Sequence, residues 1–162
     1  MGRTAIYAGT FDPLTVGHVT IVERGLRIFD EVVIAVATNI RKAPVFTVDE
    51  RIAFIDDVFA QHLGVRAVAF DGLLVDLAAD VGAVALLRGL RSAADFEYEA
   101  PMVHMNRHLA PDVETVFVCS DKDEMFVSSS LVKEVARFGG DIKAFVPKQV
   151  HQPLLDRLAE KS

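Results

Sequence analysis

The residues best placed to do chemistry lie in one early stretch, Gly9-Thr10-Phe11-Asp12-Pro13-Leu14-Thr15-Val16-Gly17-His18. An apolar run, Thr4 to Ala8, precedes it, and a helical pattern with Val22, Leu26 and Phe29 on one face follows. A strand that ends in such a turn and opens into a helix makes an anion site. The free N–H groups and the positive dipole end of the helix point at whatever sits there. Gly17 removes a side chain where a phosphate would approach the backbone, and His18 adds a donor at the helix start. A T-x-G-H tetrapeptide alone is weak, and a histidine at a helix terminus is more often a cap. Its place directly after G-T-F-D-P is what favours chemistry.

Other polar groups are spaced to join it. Ser128-Ser129-Ser130 present hydroxyls and N–H groups at a helix start, a natural pyrophosphate cradle, whereas an ordinary N-cap needs one serine. Arg88 follows V-A-L-L, where an arginine is hard to place except at a ligand edge. Lys42 beside Arg41 reads by itself as a solvated loop lysine, and Asp121, Asp123 and Glu124 as a solvated acidic loop rather than a metal cluster.

The elements that must position these groups alternate along the chain. Strands are predicted at Thr4–Ala8, Val32–Ala37, Val65–Phe70, Val84–Leu87 and Val113–Val118. V-V-I-A-V-A is the continuous β-branched run of a strand buried on both faces. Helices are predicted from about Gly17 to Phe29, and from Thr47-Val48-Asp49-Glu50, a capping-box pattern. Further helices follow Asp71-Gly72, run from Ser92 toward Leu109, and run from Ser128 to a Gly139-Gly140 stop. A C-terminal amphipathic helix ends the chain. Pro101 predicts a kink, and Pro153 suggests that the last helix starts there. This alternation means an α/β fold, a Rossmann-like doubly wound parallel sheet of about five strands with helices on both faces. Ligands of such a sheet bind beyond the carboxyl ends of its strands, where all these polar loops fall.

Composition narrows the function. A chain of 162 residues with 51% apolar content suits one compact domain that buries roughly 70% of its unfolded surface. A net charge of −6, from 17 Lys+Arg against 23 Asp+Glu, argues against nucleic-acid or membrane-surface partners. No stretch reads as a membrane span or a leader, and the single cysteine, Cys119, reads as a buried strand residue of a cytoplasmic protein. Neither G-x-x-x-x-G-K-[ST] nor an early G-x-G-x-x-G occurs, so kinase-type and dehydrogenase-type nucleotide loops are absent.

The chain instead resembles the T/H-x-G-H nucleotidylyltransferases, and among them the phosphopantetheine adenylyltransferases. The resemblance rests on G-T-F-D-P-L-T-x-G-H (Gly9 to His18), L-R-G-L-R (Leu87 to Arg91), D-F-E-Y-E (Asp95 to Glu99), H-M-N-R-H-L (His104 to Leu109) and S-S-S-L-V-K-E-V-A (Ser128 to Ala136). It implies transfer of AMP from ATP to 4′-phosphopantetheine, with Mg²⁺ carried mainly by the ATP phosphates, to give dephospho-coenzyme A and pyrophosphate. It also implies feedback binding of coenzyme A and a homohexamer built from two trimers.

By the same resemblance His18, Lys42 and Arg91 are the catalytic residues, His18 stabilising the α-phosphate in the transition state. Thr10, Lys42, Leu74, Arg88 and Glu99 are expected at phosphopantetheine, with Tyr98 lining its channel. ATP is expected to meet Thr10, Phe11, His18, Gly89, Leu90, Arg91 and Glu99, then the run Glu124, Met125, Phe126, Val127, Ser128, Ser129 and Ser130. Lys133 stands nearest the place where an arginine often follows the serine motif. Relatives often carry an aromatic followed by a small residue in the loop before the serines, which here reads Asp121-Lys122-Asp123-Glu124-Met125. Two other readings stand beside this one. One is a nicotinate-mononucleotide adenylyltransferase or glycerol-phosphate cytidylyltransferase; the other is a non-catalytic nucleotide-binding module.

Overall fold

The computed structural model describes residues 2–38 and 44–160. Five parallel strands, β1 (Thr4–Gly9), β2 (Glu31–Ala37), β3 (Val65–Phe70), β4 (Ala85–Leu90) and β5 (Glu114–Cys119), form one sheet in the order β3-β2-β1-β4-β5. Helices α1 (Val16–Gly25), α2 (Val48–Val58), α3 (Leu74–Val81) and α4 (Ala93–Leu109) connect successive strands. A short 3₁₀ turn (Lys122–Glu124), α5 (Ser129–Arg137) and α6 (Lys148–Ala159) follow β5. The predicted doubly wound sheet is what the chain forms.

Local chemistry sets most boundaries. Thr47 and Glu50 exchange hydrogen bonds as the expected capping box at α2, at 3.2 and 2.8 Å. Gly139 takes φ 77°, so its amide and that of Gly140 turn back to the Ala136 and Val135 carbonyls and stop α5. α1 ends at Gly25, short of the predicted Phe29, because Arg27 and Ile28 close onto Arg24 and Gly25 in tighter turns. α6 starts at Lys148, not at Pro153. The ring of Pro153 removes only the amide that would have met Gln149 in the first turn. α4 likewise stays one helix through Pro101. Cys119 is in a strand as predicted, but exposed at its end rather than buried.

The sheet divides the core unequally. Ala5, Tyr7, Val32, Ile34, Val36, Ala85 and Leu87 face α1, α2, α5 and α6 and join the larger cluster. Ile6, Val33, Ala35 and Leu86 face the other way, into a smaller cluster with α3. α4 contributes no buried residue to either.

Candidate active site

A cleft opens where two neighbouring strands part. β1 and β4 pair only from Ala5–Ala85 to Tyr7–Leu87, although the strands continue to Gly9 and Leu90. Sequence order reverses between these strands, the place where α/β sheets leave a crevice. Beyond the last pair, the Arg88 guanidinium donates from Nη1 to the Ala8 carbonyl at 3.1 Å. The cleft has a volume of about 360 Å³. Gly9, Thr10, Gly17 and His18 line it from the first turn, Arg88, Gly89 and Arg91 from the end of β4, and Tyr98 and Glu99 from α4. Ser120, Glu124, Val127, Ser128 and Ser129 close it from the segment after β5. Residues far apart in the chain thus meet because the sheet places their loops at one edge.

His18 turns out to be both a cap and a cleft residue. Thr15 is the N-cap of α1, and its amide donates to His18 Nδ1 at 3.0 Å while its side chain accepts from the His18 amide at 3.4 Å. Nδ1 is therefore an acceptor, and the ring proton sits on Nε2. Burial, with the Arg91 guanidinium adding to it, lowers the His18 pKa to about 4. The ring is a neutral N–H donor at pH 7, not an imidazolium. Phe11 sets its edge against that ring, with centroids 5.0 Å apart, and does the same to Tyr7 at 5.4 Å. To do so Phe11 takes φ 49°, a left-handed value that costs a non-glycine residue about 1–3 kcal/mol. A side chain at Gly9 would meet the Phe11 ring at 3.1 Å, which is why this strand ends in glycine.

The cations are held rather than loose. Arg88 grips Glu99 with two parallel bonds, Nε to Oε2 at 2.9 Å and Nη2 to Oε1 at 2.5 Å. Both Glu99 oxygens are engaged, so in this state Glu99 orients Arg88 rather than offering itself to a ligand. Arg91 is fixed from two sides. Asp95 Oδ2 accepts from its backbone amide at 2.9 Å and its Nε at 3.2 Å, and Nη1 donates to the Val127 carbonyl at 3.3 Å. Gly89 lies between them; a Cβ there would meet the Ile21 side chain at 3.0 Å and push it back by a few tenths of an ångström. Lys133 does not join the serines. Its ammonium donates to the buried Asp12 carboxylate at 2.9 Å. Lys42 lies outside the described residues.

The serines share out their tasks. Ser128 is the N-cap of α5 and accepts from the Leu131 amide at 3.2 Å; Ser129 donates its hydroxyl to the Pro13 carbonyl at 2.8 Å. Both still line the cleft, with the first free amides of α5 beside them. Ser130 does not line it. Phe11 is buried in the core, Leu74 packs beneath the opposite face of the sheet, and Leu90 contributes its carbonyl to the Ser120 amide. Met125 and Phe126 are exposed, Phe126 resting on Phe145. The acidic loop is not simply solvated: Asp121 pairs with Arg24, and Glu124 Oε1 accepts from Thr20 at 2.9 Å while Oε2 is buried without a partner.

Sequence reasoning passed over several cleft residues, among them Asp95, which fixes Arg91, and Tyr7. Tyr7 reads as one more apolar position of β1, yet a hydroxyl tip one residue before the parting of two strands was the available signal. Its phenol is buried and is pushed well above the ordinary range by that burial, against the opposing pull of Arg88 and Arg91. It stays a neutral donor. For a cation, the described residues give no group of three or more His, Cys, Asp or Glu side chains. Of the cleft carboxylates, Asp95 and Glu99 already serve arginines, and Glu124, with one oxygen on Thr20 and one unpartnered, stands without a second free carboxylate in the cleft. The donor set therefore fits a metal that arrives on its ligand's own oxygens, not one caged by protein.

Comparison with known proteins agrees with this geometry. The cytidylyltransferase-like family model matches residues 6–135. A phosphopantetheine adenylyltransferase from Thiobacillus denitrificans is 48% identical over 157 residues, covering 97% of this chain and 98% of that protein. Two solved structures share the fold alone. One is a Vibrio parahaemolyticus protein described as a nicotinate-nucleotide adenylyltransferase, with a TM-score of 0.73 and 15% identity, covering 100% of this chain and 98% of that one. The other is a lipopolysaccharide core biosynthesis protein from Thermoplasma volcanium, with a TM-score of 0.60 and 23% identity, covering 75% of this chain and 100% of that one. Nearly the whole chain thus matches a relative of the kind its motifs resemble, and it belongs to the phosphopantetheine adenylyltransferase family of cytidylyltransferase-like nucleotidyltransferases.

Proposed function

We propose that this chain transfers AMP from ATP to 4′-phosphopantetheine, giving dephospho-coenzyme A and pyrophosphate. The observation that carries the reading is the His18 ring, neutral and fixed in one tautomer by Thr15, in a cleft that Arg88, Arg91 and the α5 N-terminus also line. A phosphate monoester has its second pKa near ~6 and is ionised at neutral pH, so the acceptor needs no general base. Its oxygen attacks the α-phosphorus of ATP as the bridging bond to the β-phosphate breaks, and pyrophosphate leaves. His18 Nε2–H then meets charge growing on an α-phosphate oxygen.

Arg88, aimed by Glu99, suits the acceptor phosphate. Lys42 is assigned beside it, and Thr10 within reach of both phosphates. Arg91 and the amides at Ser128 and Ser129 suit the leaving pyrophosphate, and Tyr98 suits the pantetheine arm. Mg²⁺ would travel on the ATP phosphates and offset their charge. The exposed apolar side chains of α4, Phe96, Met102, Met105 and Leu109, suit burial against further copies in a homohexamer. Feedback binding of coenzyme A to the same cleft and a cytoplasmic location belong to this reading. Among the described residues no helix is long and apolar enough to cross a membrane.

The direct test is pyrophosphate release from ATP, Mg²⁺ and 4′-phosphopantetheine. Silence with that acceptor, together with turnover of nicotinate mononucleotide, would overturn the assignment.

A further inference from the structure

Beneath the first turn lies a charged network that no step above uses. Arg51, on α2, is 1% exposed and is among the largest fully buried side chains of the molecule. Among the described residues it makes no hydrogen bond to a carboxylate. Its guanidinium instead donates to three carbonyls in three segments: Thr10 at 2.6 Å, Ala37 at the end of β2 at 3.0 Å, and Thr47 at the start of α2 at 3.2 Å. Two residues beyond Thr10, the Asp12 carboxylate, 4% exposed, accepts from the amides of Val45 and Phe46 at 2.9 to 3.1 Å and from Lys133 of α5 at 2.9 Å. The partly buried Lys133 therefore pairs with the buried Asp12 carboxylate, while the buried Arg51 spends its hydrogen bonds on carbonyls.

Such a network is costly where it does nothing but fill space. Buried ions give up hydration, and well-packed apolar side chains of similar volume are often as stable or more so. What apolar side chains cannot do is fix the direction of a peptide group. The C=O and N–H of a trans peptide point opposite ways. With the Thr10 carbonyl drawn inward to Arg51, the Phe11 N–H turns outward, and it has no protein acceptor among the described residues. Thr10 itself lines the cleft. Asp12 and Lys133 then tie this turn to α5, whose N-cap and first residue line the cleft, and Asp12 ties it to Val45–Phe46, just ahead of α2. We propose that Arg51, Asp12 and Lys133 are positioning residues for the transfer step. They hold the Thr10–Phe11 peptide and the His18 turn in register with the start of α5 and the end of β2. The inference rests on the adenylyltransfer reading above.

The test compares kcat, KM for each substrate, ATP dissociation constant and thermal midpoint for wild type, Arg51→Lys, Arg51→Met, Lys133→Arg and Lys133→Met. Misplacing reacting groups by about 1 Å costs up to about 100-fold in rate, so folded Arg51→Met should lose about that in kcat while ATP affinity stays within about threefold. Arg51→Lys, which keeps a donor for one carbonyl, should recover part of the loss. Lys133→Met should lose about tenfold and Lys133→Arg should regain most of it. Folded variants with wild-type kcat, or with kcat and ATP affinity falling by the same factor, would overturn the proposal. If Arg51→Met does not fold, the Lys133 pair decides by the same criteria. Wild type is the control that separates the two ideas: no turnover there refutes the reaction, whereas unaffected variants of an active wild type refute only the positioning role.

Discussion

The two sides of the cleft are built in opposite ways. Between Phe11 and Thr15 the chain buries Phe11, Asp12, Leu14 and Thr15, and Asp12 and Thr15 both hold backbone amides. Across the cleft, α4 runs for 17 residues without burying one, and Tyr98 is 85% exposed. The physical reason is the different demand on each side. In the proposed reaction the first turn must place a donor against the reacting phosphorus, where a small displacement is costly in rate. The α4 wall has only to accompany the substrate, and it is anchored where it matters, at the Arg88–Glu99 pair. Order on one side is intrinsic to the fold; on the other it is local, and in our reading is completed by a neighbouring copy.

Breaking the ordered side should have the largest effect. His18→Ala is expected to lower kcat by about 10²–10³ while leaving ATP affinity nearly unchanged, as loss of one transition-state donor does. Calorimetric titration beside steady-state rates checks this; equal losses in both would make His18 a binding group only. On the looser side, Arg88→Ala should raise KM for 4′-phosphopantetheine by about 10- to 100-fold, the range for one charge-assisted hydrogen-bonding group. Glu99→Gln should do less, because it loosens Arg88 without removing it. If Glu99→Gln proves the more damaging, Glu99 touches substrate directly.

Tyr7→Phe keeps the ring packed against Phe11 and removes only the hydroxyl. A loss of about fivefold in kcat/KM is expected for one neutral hydrogen bond; no loss would leave Tyr7 as core alone. The state of His18 also predicts a pH dependence of stability. Its folded pKa, about 4, lies below its unfolded value of 6.5, so between these the unfolded chain binds more protons than the folded one. Stability should fall as pH drops through that window and be fully present above it. Denaturant midpoints at several pH values, with His18→Gln as the flatter control, measure this contribution. The smallest effect is expected on the exposed wall. Met102→Ser with Met105→Ser should reduce the assembled mass in sedimentation while the stability of each subunit stays within about 0.5 kcal/mol.

Much of this was legible in the chain, and the reason is periodicity. Alternating β-branched and helical runs gave five strands and their helices, and capping chemistry at Thr47 and Ser128 marked helix starts. Individual side-chain partners were not legible, because they lie across the sheet edge. Glu99 reads as a helix carboxylate and Lys133 as a cation beside the serines. Only folding shows one clasping Arg88 and the other drawn to Asp12. Arg51 was hidden for the same reason, and Tyr7 was passed over because it occupies an otherwise ordinary apolar position in its strand.

The sequence by itself determined the sheet, the edge at which ligands bind and the residue types gathered there, since these follow from local propensity and hydrophobic pattern. Only the tertiary structure decided how those residues act. The parting of β1 from β4 opens the cleft. A cap made by Thr15, joined to burial, makes His18 a neutral donor with its proton on Nε2. Tautomer, protonation and aim are set by neighbours, and neighbours are a property of the fold.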